Sequence, residues 1–276
     1  MSIKLIAVDM DGTFLDDNME YNRERFSKLY QKMLAENIKF VVASGNQYYQ
    51  LRSFFPEIKN EIVYVAENGA YVVMGEKEIF ATNISKDTVN DVLAILEGYP
   101  KISTIVCGKK SAYVNMQVSQ QFFEFANKYY HRLKRVENLH NIDDQIVKIA
   151  LNCPIELERG IYEELIESVG EILTPVFIGN GDIDLIVPGC HKAHGLKQLQ
   201  QLWGIKVSEI MAFGNGDNDI EMLAHAGFSF AMQASSELAT KAAKFRAPTN
   251  NDEGVLVIIS KYFNNREQFL NDLKPQ

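Results

Sequence analysis

The order of apolar and polar positions divides the chain into three stretches, of which the first and the last share one rhythm. In residues 1–82, short apolar runs alternate with segments in which apolar residues recur every three or four positions. The short runs are typical of buried strands, and the wider spacing is typical of amphipathic helices. Strands that alternate with helices favour a parallel sheet covered by helices.

The bounds of the predicted elements follow from this pattern. The first stretch has predicted strands at 4–8, 39–43 and 62–66, helices at about 22–37 and 47–54, and a hairpin over 70–82 that turns at Gly75. The last stretch has predicted helices at 191–203, 218–226, 235–242 and 253–262, and strands at 209–213, 228–232 and 244–247. Together the two stretches predict one doubly wound α/β core with a parallel sheet.

The middle of the chain, from about residue 84 to 188, follows a different pattern. Its predicted helices are 86–97, 119–129 and 156–169, and its predicted strands are 103–107, 111–115, 146–152, 173–178 and 183–187. Two helices on a small antiparallel sheet would form a separate α+β module. We therefore expect a core domain made of residues 1–83 and 189–276, interrupted by an inserted domain of residues 84–188.

Composition narrows the class of protein. Apolar residues make up 46% of the 276 residues and charged residues 23%, which is typical of a globular protein. No apolar stretch approaches the ~20 residues that cross a membrane, and the first strand begins almost at Met1, so we expect neither a membrane segment nor a signal peptide. The net charge of −8 disfavours a nucleic-acid partner. Three widely spaced cysteines indicate reduced thiols, so we expect a cytoplasmic protein.

Two carboxylates directly follow the first predicted strand, in the segment Asp9-Met10-Asp11-Gly12-Thr13. The carboxyl ends of parallel strands form the edge of a sheet at which ligands bind. A pair of carboxylates there can hold a hard cation, attack an electrophile and move a proton. An ordinary Asp-rich turn would use the same residues.

A calcium-binding loop is a weaker alternative for this segment. Counted from Asp9, Thr13 and Glu20 stand where such a loop has oxygen ligands, but Phe14 stands where it requires glycine. Such a loop also lies between two helices, whereas the apolar pattern predicts a strand before Asp9.

Three further segments follow core strands or begin core helices. Ser44-Gly45-Asn46 offers a hydroxyl and backbone N–H groups that can bind phosphate oxygens. Lys192 lies near the start of a predicted helix, and the polar loop Gly214–Asp219 follows another apolar strand. Each segment alone is typical of a turn or a solvated helix end, but all of them fall at the same predicted edge.

Together with these motifs, longer segments resemble one family over essentially the whole chain. The segments are Val41-Val42-Ala43-Ser44-Gly45-Asn46-Gln47-Tyr48-Tyr49-Gln50-Leu51, Ala66-Glu67-Asn68-Gly69-Ala70, Tyr130-His131-Arg132-Leu133-Lys134 and Asp184-Leu185-Ile186-Val187-Pro188-Gly189. They are similar to the haloacid dehalogenase (HAD) superfamily, within it to the Cof-type phosphatases with a type IIB cap, and especially to the YbiV-like sugar phosphatases. The resemblance implies a HAD-like Rossmannoid core with the inserted domain as its cap.

The resemblance also implies a role for each motif residue. Asp9 would be the nucleophile that forms an aspartyl-phosphate, and Asp11 would be the acid and base that serves the leaving group and the attacking water. The residues implied to bind Mg²⁺ are Asp9, Asp11 through its backbone carbonyl, Asn215, and Asp219, which could instead orient Lys192. The residues implied to bind the substrate are Met10, Ser44, Gly45, Lys192 and Asn218. Thr13 would fix the loop.

Two positions depart from the family pattern. Asn215 stands where the family usually has an aspartate that ligates Mg²⁺, and an amide oxygen brings no charge. We therefore expect weaker Mg²⁺ binding unless Asp217 or Asp219 compensates. Asn46 stands where many relatives have arginine, but the hydroxyl and the glycine before it remain, so the phosphate role is expected to survive.

The cap is expected to set the choice of leaving group. Candidate positions at the seam between core and cap are Tyr48, Glu67, Asn68 and Asp184, although Tyr48 and Asp184 are equally typical of packing or of hydrogen bonds at the joint. The basic stretch His131-Arg132-Leu133-Lys134-Arg135 is expected to be a solvated face.

These expectations describe a Mg²⁺-dependent phosphomonoesterase that acts on sugar phosphates and similar small metabolites. A sugar phosphomutase with the same core and a non-catalytic phosphosugar-binding protein are the alternatives. The expected partner is a small phosphorylated metabolite, with no nucleic acid and no membrane, and the expected state is a monomer or a weak homo-oligomer.

Overall fold

The computed structural model describes residues 2–273, and the strands within them form two separate sheets. In chain order, the strands are β1 (Leu5–Val8), β2 (Lys39–Ala43), β3 (Val63–Ala66), β4 (Tyr71–Met74), β5 (Lys77–Ala81), β6 (Ser103–Gly108), β7 (Ala112–Asn115), β8 (Leu133–Val136), β9 (Ile146–Asn152), β10 (Thr174–Gly179), β11 (Asp182–Ile186), β12 (Ile210–Gly214), β13 (Phe228–Met232) and β14 (Phe245–Ala247). The α-helices are α1 (Arg23–Ala35), α2 (Tyr48–Ser53), α3 (Lys86–Leu96), α4 (Gln120–Ala126), α5 (Glu158–Ser168), α6 (Lys192–Trp203), α7 (Ile220–His225), α8 (Glu237–Ala242), α9 (Gly254–Asn264) and α10 (Arg266–Asp272).

The first sheet contains eight strands in the order β14-β13-β12-β1-β2-β3-β4-β5. The strands from β14 to β3 are parallel to their neighbours, and β4 and β5 add an antiparallel hairpin at one edge. Because β1 lies between β12 and β2, the chain winds outward from it in both directions. The predicted doubly wound α/β core is confirmed, and its topological switch point lies at the carboxyl end of β1.

The central strand β1 is buried on both faces. Ile6 and Val8 pack into an apolar cluster with side chains of α1 and α9, whereas Leu5 and Ala7 pack on the other face with side chains of α6 and α7. Residues that alternate between two covered faces must all be apolar, which is why this strand has no polar position until Asp9. The first polar side chain therefore emerges where the strand leaves the sheet.

The second sheet contains six strands in the order β10-β11-β9-β6-β7-β8, all drawn from the chain between β5 and β12. Side chains of α3 and α5 share one apolar cluster with the sheet, and side chains of α4 belong to another. All three predicted helices of this segment therefore cover the sheet, where we expected only two. The residues at which the inserted domain begins and ends remain a prediction.

One strand of the second sheet was missed, and it also breaks the expected antiparallel order. β8 has the sequence Leu-Lys-Arg-Val, which lacks the apolar alternation of a strand, and it pairs in parallel with β7 at the edge of the sheet. The basic stretch that contains it is largely exposed, as expected for a solvated face. Edge strands often carry charged side chains in this way, because only one of their sides forms ladder hydrogen bonds.

The last helix, α10, was also missed.

No helix between residues 2 and 273 combines the length and the apolar character that a membrane span requires.

Close packing of α6 on β3 holds the start of α6 in place. A Cβ on Gly195 would lie 2.4 Å from Val65 Cγ1, so only glycine lets the helix approach the sheet this closely. By contrast, a Cβ on Gly160 in α5 would meet no heavy atom within 4 Å. These two glycines lie inside helices but differ in what surrounds them.

We predict that Gly195→Ala lowers the free energy of unfolding by about 1–3 kcal/mol, because the added methyl overpacks a buried valine. The matched control Gly160→Ala should raise it by about 0.5–1 kcal/mol, since alanine favours a helix and is not obstructed there. Urea unfolding of both variants measures the difference. Equal stabilities of the two variants would contradict the close packing described for α6.

Candidate active site

The turn that follows β1 carries the first pair of predicted site residues. The N–H of Phe14 donates to the Asp9 carbonyl at 3.2 Å, and the N–H of Leu15 donates to the Met10 carbonyl at 2.9 Å. Gly12 has a φ of +71°, and a Cβ there would lie 2.4 Å from Asn215 Nδ2. The turn thus folds tightly against the loop after β12 and leaves Asp9 and Asp11 at the carboxyl edge of the sheet. Because a strand, and no helix, precedes this turn, the calcium-loop alternative is wrong.

Asp9 shares a buried cation with Asp219. Lys192 Nζ, at the start of α6, lies 2.7 Å from Asp9 Oδ1 and 2.7 Å from Asp219 Oδ1, and all three side chains are buried. Burial alone would lower the pKa of Lys192, but the carboxylates of Asp219 and Asp9 raise it well above its usual range. Lys192 is therefore a permanent cation, and no residue between 2 and 273 donates a hydrogen bond to the other oxygen of Asp9.

The carboxyl groups of the site outnumber its cations. Burial raises the pKa of Asp9 to about 7, and the neighbouring carboxylates of Asp219 and Asp11 add to the rise, while Lys192 opposes it. Burial also raises the pKa of Asp11. One lysine thus faces three carboxyl groups, and a further cation beside them would favour the ionised form of Asp9.

Asp219 holds Lys192 and the loop after β12, and its role as a metal ligand stays a prediction. While its Oδ1 accepts from Lys192, its Oδ2 accepts from the backbone N–H groups of Asn215 at 2.9 Å and Gly216 at 3.0 Å. Both oxygens are thus engaged, so we assign Asp219 to positioning Lys192 and the loop. Asp217 accepts a hydrogen bond from the Ser236 hydroxyl, away from the cluster around Lys192.

The loop after β12 contacts the turn after β1 through Asn215. Thr13 Oγ1 donates to Asn215 Oδ1 at 3.0 Å, which ties the amide of Asn215 to the turn after β1. Within residues 2–273, no three His, Cys, Asp or Glu side chains are arranged to hold a metal. A metal here would therefore depend on the Asp9 carboxylate, the Asp11 backbone carbonyl and the Asn215 amide oxygen, together with water. That hard, oxygen-only set of low charge fits Mg²⁺, which keeps several waters in proteins.

Asp11 is held by a residue whose role the sequence did not reveal. Asn46 Nδ2 donates to Asp11 Oδ2 at 2.7 Å, and the backbone N–H of Asn46 donates to Ser44 Oγ at 3.1 Å. Asn46 therefore links the predicted acid to the predicted phosphate-binding hydroxyl. The sequence held one indication of this role, because Asn46 follows the predicted strand 39–43 and so falls at the same sheet edge as Asp11.

The loop after β12 reaches the loop after β3. Asn218 Nδ2 donates to Asn68 Oδ1 at 3.2 Å, and Asn68 Nδ2 donates to Asp184 Oδ2, on the second sheet, at 2.6 Å. A Cβ on Gly45 would lie 3.0 Å from Asn68 Oδ1. The amide of Asn68 therefore packs directly on the predicted phosphate loop, Ser44-Gly45-Asn46. The structure thus brings Gly45 and Asn218 to one place through a residue between them.

Two of the predicted site residues have buried side chains that cannot contact a substrate. The side chain of Met10 is fully buried in the apolar core, so only its backbone can contact a substrate. Tyr48, a seam candidate, is also buried, and its hydroxyl donates to the Gly75 carbonyl, which is a packing role.

The chain is similar to known hydrolases over nearly its whole length. The model of the haloacid dehalogenase-like hydrolase family matches residues 6–259. The 5-amino-6-(5-phospho-D-ribitylamino)uracil phosphatase YbjI of Escherichia coli (strain K12) is 53% identical over 269 residues, which cover 98% of this chain and 99% of that protein. The solved structure of SMU.1108c from Streptococcus mutans UA159 has a TM-score of 0.90 and 31% identity, covering 96% of this chain and 100% of its own.

A more distant structure shows the same fold. The HAD subclass IIB sugar phosphatase BT4131 is 21% identical and has a TM-score of 0.80, covering 94% of this chain and 99% of its own. At this identity, the likeness concerns the architecture of the two sheets alone.

We predict that Asn215→Asp tightens Mg²⁺ binding, by about 10-fold for each 1.4 kcal/mol gained, because it adds a charge at the position of the amide oxygen. Calorimetric titration of the protein with Mg²⁺ measures the change. Asp217→Asn serves as the control and should leave the affinity near that of the natural chain, since Asp217 faces Ser236. Unchanged affinity in Asn215→Asp would contradict the role given to Asn215.

We also predict that Asp9→Asn stabilises the protein in a chelator, and more so at higher pH. The pKa of Asp9 rises from 3.8 to about 7 on folding, so the folded state loses stability as pH rises between those values. Asparagine does not titrate, so the variant does not lose this stability. The difference in free energy of unfolding between the variant and the natural chain should therefore grow from pH 4 to 7 and stay constant above pH 7. Thermal unfolding measures this difference, because the melting temperature shifts by about 2–4 °C for each kcal/mol. A gain independent of pH would contradict the raised pKa.

Proposed function

The chain belongs to the haloacid dehalogenase-like hydrolases, as a Cof-type phosphatase, and on that premise we propose that it is a Mg²⁺-dependent phosphomonoesterase of small metabolites. One observation carries the proposal. A buried carboxylate with an unengaged oxygen, Asp9, lies beside a permanent cation, Lys192, and beside a second carboxyl group, Asp11, whose pKa is raised. This arrangement provides a nucleophile, a counterion for phosphate and a proton donor.

In the first step, the free oxygen of Asp9 attacks phosphorus while the bond between phosphorus and the leaving oxygen breaks. Asp11 gives its proton to that oxygen, which leaves as an alcohol. The raised pKa of Asp11 favours the protonated form that this step needs. Asn46, which holds the Asp11 carboxyl group at 2.7 Å, keeps it in place.

In the second step, water attacks the phosphorus of the aspartyl-phosphate and gives a proton to Asp11, which releases phosphate and restores Asp9. In both steps, Lys192, the Ser44 hydroxyl and the Gly45 N–H stabilise the charge on the phosphoryl oxygens. Mg²⁺, held by Asp9, the Asp11 carbonyl and Asn215, would favour the ionised form of Asp9 and the charge on the phosphoryl oxygens.

The substrate that we propose is a phosphorylated polyol or sugar that carries a planar group. YbjI is a phosphatase of a ribitylaminouracil phosphate and is 53% identical over nearly the full length of both chains. Tyr129, three residues after the end of α4, is 37% exposed. Its pKa is raised mainly by burial and further by the nearby carboxylates of Asp11 and Asp182. An exposed tyrosine ring can stack on a pyrimidine.

The unit built on the second sheet would act as the cap that excludes water and selects the leaving group. Its side chains meet the core at Asn68 and at the loop that contains Gly45. The three cysteines are all buried and unpaired, which suits a reducing compartment such as the cytoplasm.

We predict that the protein releases phosphate from 5-amino-6-(5-phospho-D-ribitylamino)uracil with Mg²⁺ and not with a chelator. Hexose, pentose and nucleotide monophosphates complete the panel and define the leaving group. Asp9→Asn should lose at least about 10³-fold in kcat, since the amide is no nucleophile. Phosphate release is followed colorimetrically.

The outcome also separates the alternatives. Transfer of phosphate between two sugar positions without release would indicate a phosphomutase. Binding of the phosphorylated compounds with no turnover in Mg²⁺ would indicate a binding protein, and either result would overturn the proposal.

A further inference from the structure

A second buried lysine lies at the seam between the two sheets, outside the residues that the proposed reaction uses. Lys148, on β9, is 1% exposed. Its Nζ donates to the Gly45 carbonyl at 2.7 Å and to Asp184 Oδ2 at 3.1 Å, and lies 3.0 Å from Glu67 Oε2. We name Lys148, Glu67, Asp184 and Asn68 together the seam cluster.

Stability alone does not account for the seam cluster. Burying two carboxylates and an ammonium group costs about as much as their attraction returns, and well-packed apolar residues often do as well. The flanking residues of β9, Val147 and Ile149, are fully buried and apolar. Glu67 Oε2, although near Lys148, has no aligned hydrogen bond within the described residues. Lys148 instead aligns on a backbone carbonyl of the phosphate loop.

That carbonyl controls the orientation of the loop. The carbonyl of Gly45 and the N–H of Asn46 belong to one planar peptide unit, so fixing the first fixes the second. The Asn46 N–H donates to Ser44 Oγ at 3.1 Å, which leaves the Ser44 hydroxyl proton free to point elsewhere. By holding the Gly45 carbonyl, Lys148 thus supports the orientation in which the Ser44 hydroxyl can donate to a phosphoryl oxygen.

The seam cluster has a second arm. Asp184 Oδ2 accepts from Asn68 Nδ2 at 2.6 Å, and this fixes which end of the Asn68 amide faces Asn218. The oxygen end accepts from Asn218 Nδ2 at 3.2 Å. Asn68 adopts a left-handed backbone with φ of +54°, so the loop is held in an uncommon conformation that these contacts compensate.

We propose that Lys148 and Asp184 are positioning residues through which the docked second sheet assembles the phosphate-binding loops of the core. The proposal rests on the proposed phosphatase function. It assigns these residues to the phosphoryl group, and not to the leaving group. Removing Lys148 should therefore affect every substrate equally, whatever alcohol it carries.

The test compares Lys148→Met with the double variant Lys148→Met/Glu67→Gln. The single variant leaves two buried carboxylates without a cation, so it is the one at risk of misfolding. The double variant removes one charge of each sign and keeps the net charge of the seam cluster. Lys134→Met, at an exposed position of β8, controls for loss of a cap lysine and should behave as the natural chain.

We expect the folded double variant to lose about 10–100-fold in kcat, the equivalent of one charged hydrogen bond. The loss should be the same for p-nitrophenyl phosphate and for a ribityl phosphate. Its affinity for inorganic phosphate, measured calorimetrically with Mg²⁺, should fall in parallel. Thermal unfolding of each variant shows whether it is folded, and a merely structural role would lower the melting temperature without these changes.

Two results would overturn the inference. One is a folded double variant with the kcat and phosphate affinity of the natural chain. The other is a loss confined to substrates with a large leaving group, which would place Lys148 on that group. If the natural chain itself releases no phosphate from any substrate, the proposed function fails. The comparison of phosphate affinities still tests the positioning role in that case.

Discussion

The ammonium group of Lys192 makes the rest of the site possible, because it lets two carboxylates share one buried pocket. Asp9 ends the central strand β1, and Asp219 follows β12, so the two carboxylates come from neighbouring strands of the sheet. Without a cation between them, their repulsion and burial would protonate one or both. The helix α6 supplies this cation from its first turn, and close packing of Gly195 on Val65 fixes where that turn begins.

A second lysine repeats the arrangement at the seam. Lys148 also lies between two carboxylates, Glu67 and Asp184, one from each sheet. Lys192 organises the loops after β1 and β12, while Lys148 reaches the loops after β2 and β3. The loops after β1, β2, β3 and β12 are thus each tied to one of two buried ammonium groups. These contacts hold the loops of the candidate site in a fixed relation to one another.

The core was predictable because its strands are buried on both faces, which leaves little choice of residue. The predicted bounds of β2 and β13 agree with the structure to the residue, and β1 differs by one. Prediction failed for β8, whose polar residues suit an exposed edge strand. The predicted helix 119–129 ends earlier, at Ala126, and Tyr130 beyond it is partly buried against the second sheet.

The sequence by itself determined the architecture and the chemistry at the sheet edge. Apolar runs that end in Asp9, Ser44 and Gly214 identified the edge, since parallel strands place their carboxyl-terminal loops on the same side of the sheet. Only the tertiary structure decided how these groups are held. The Asp11–Asn46 pair spans two strands, and the Lys148–Gly45 contact joins residues 103 positions apart on different sheets. No local pattern encodes such contacts, because they depend on how the two sheets dock. Lys148 interrupts the apolar pattern of β9, and only its contact with the Gly45 carbonyl explains a lysine at that position.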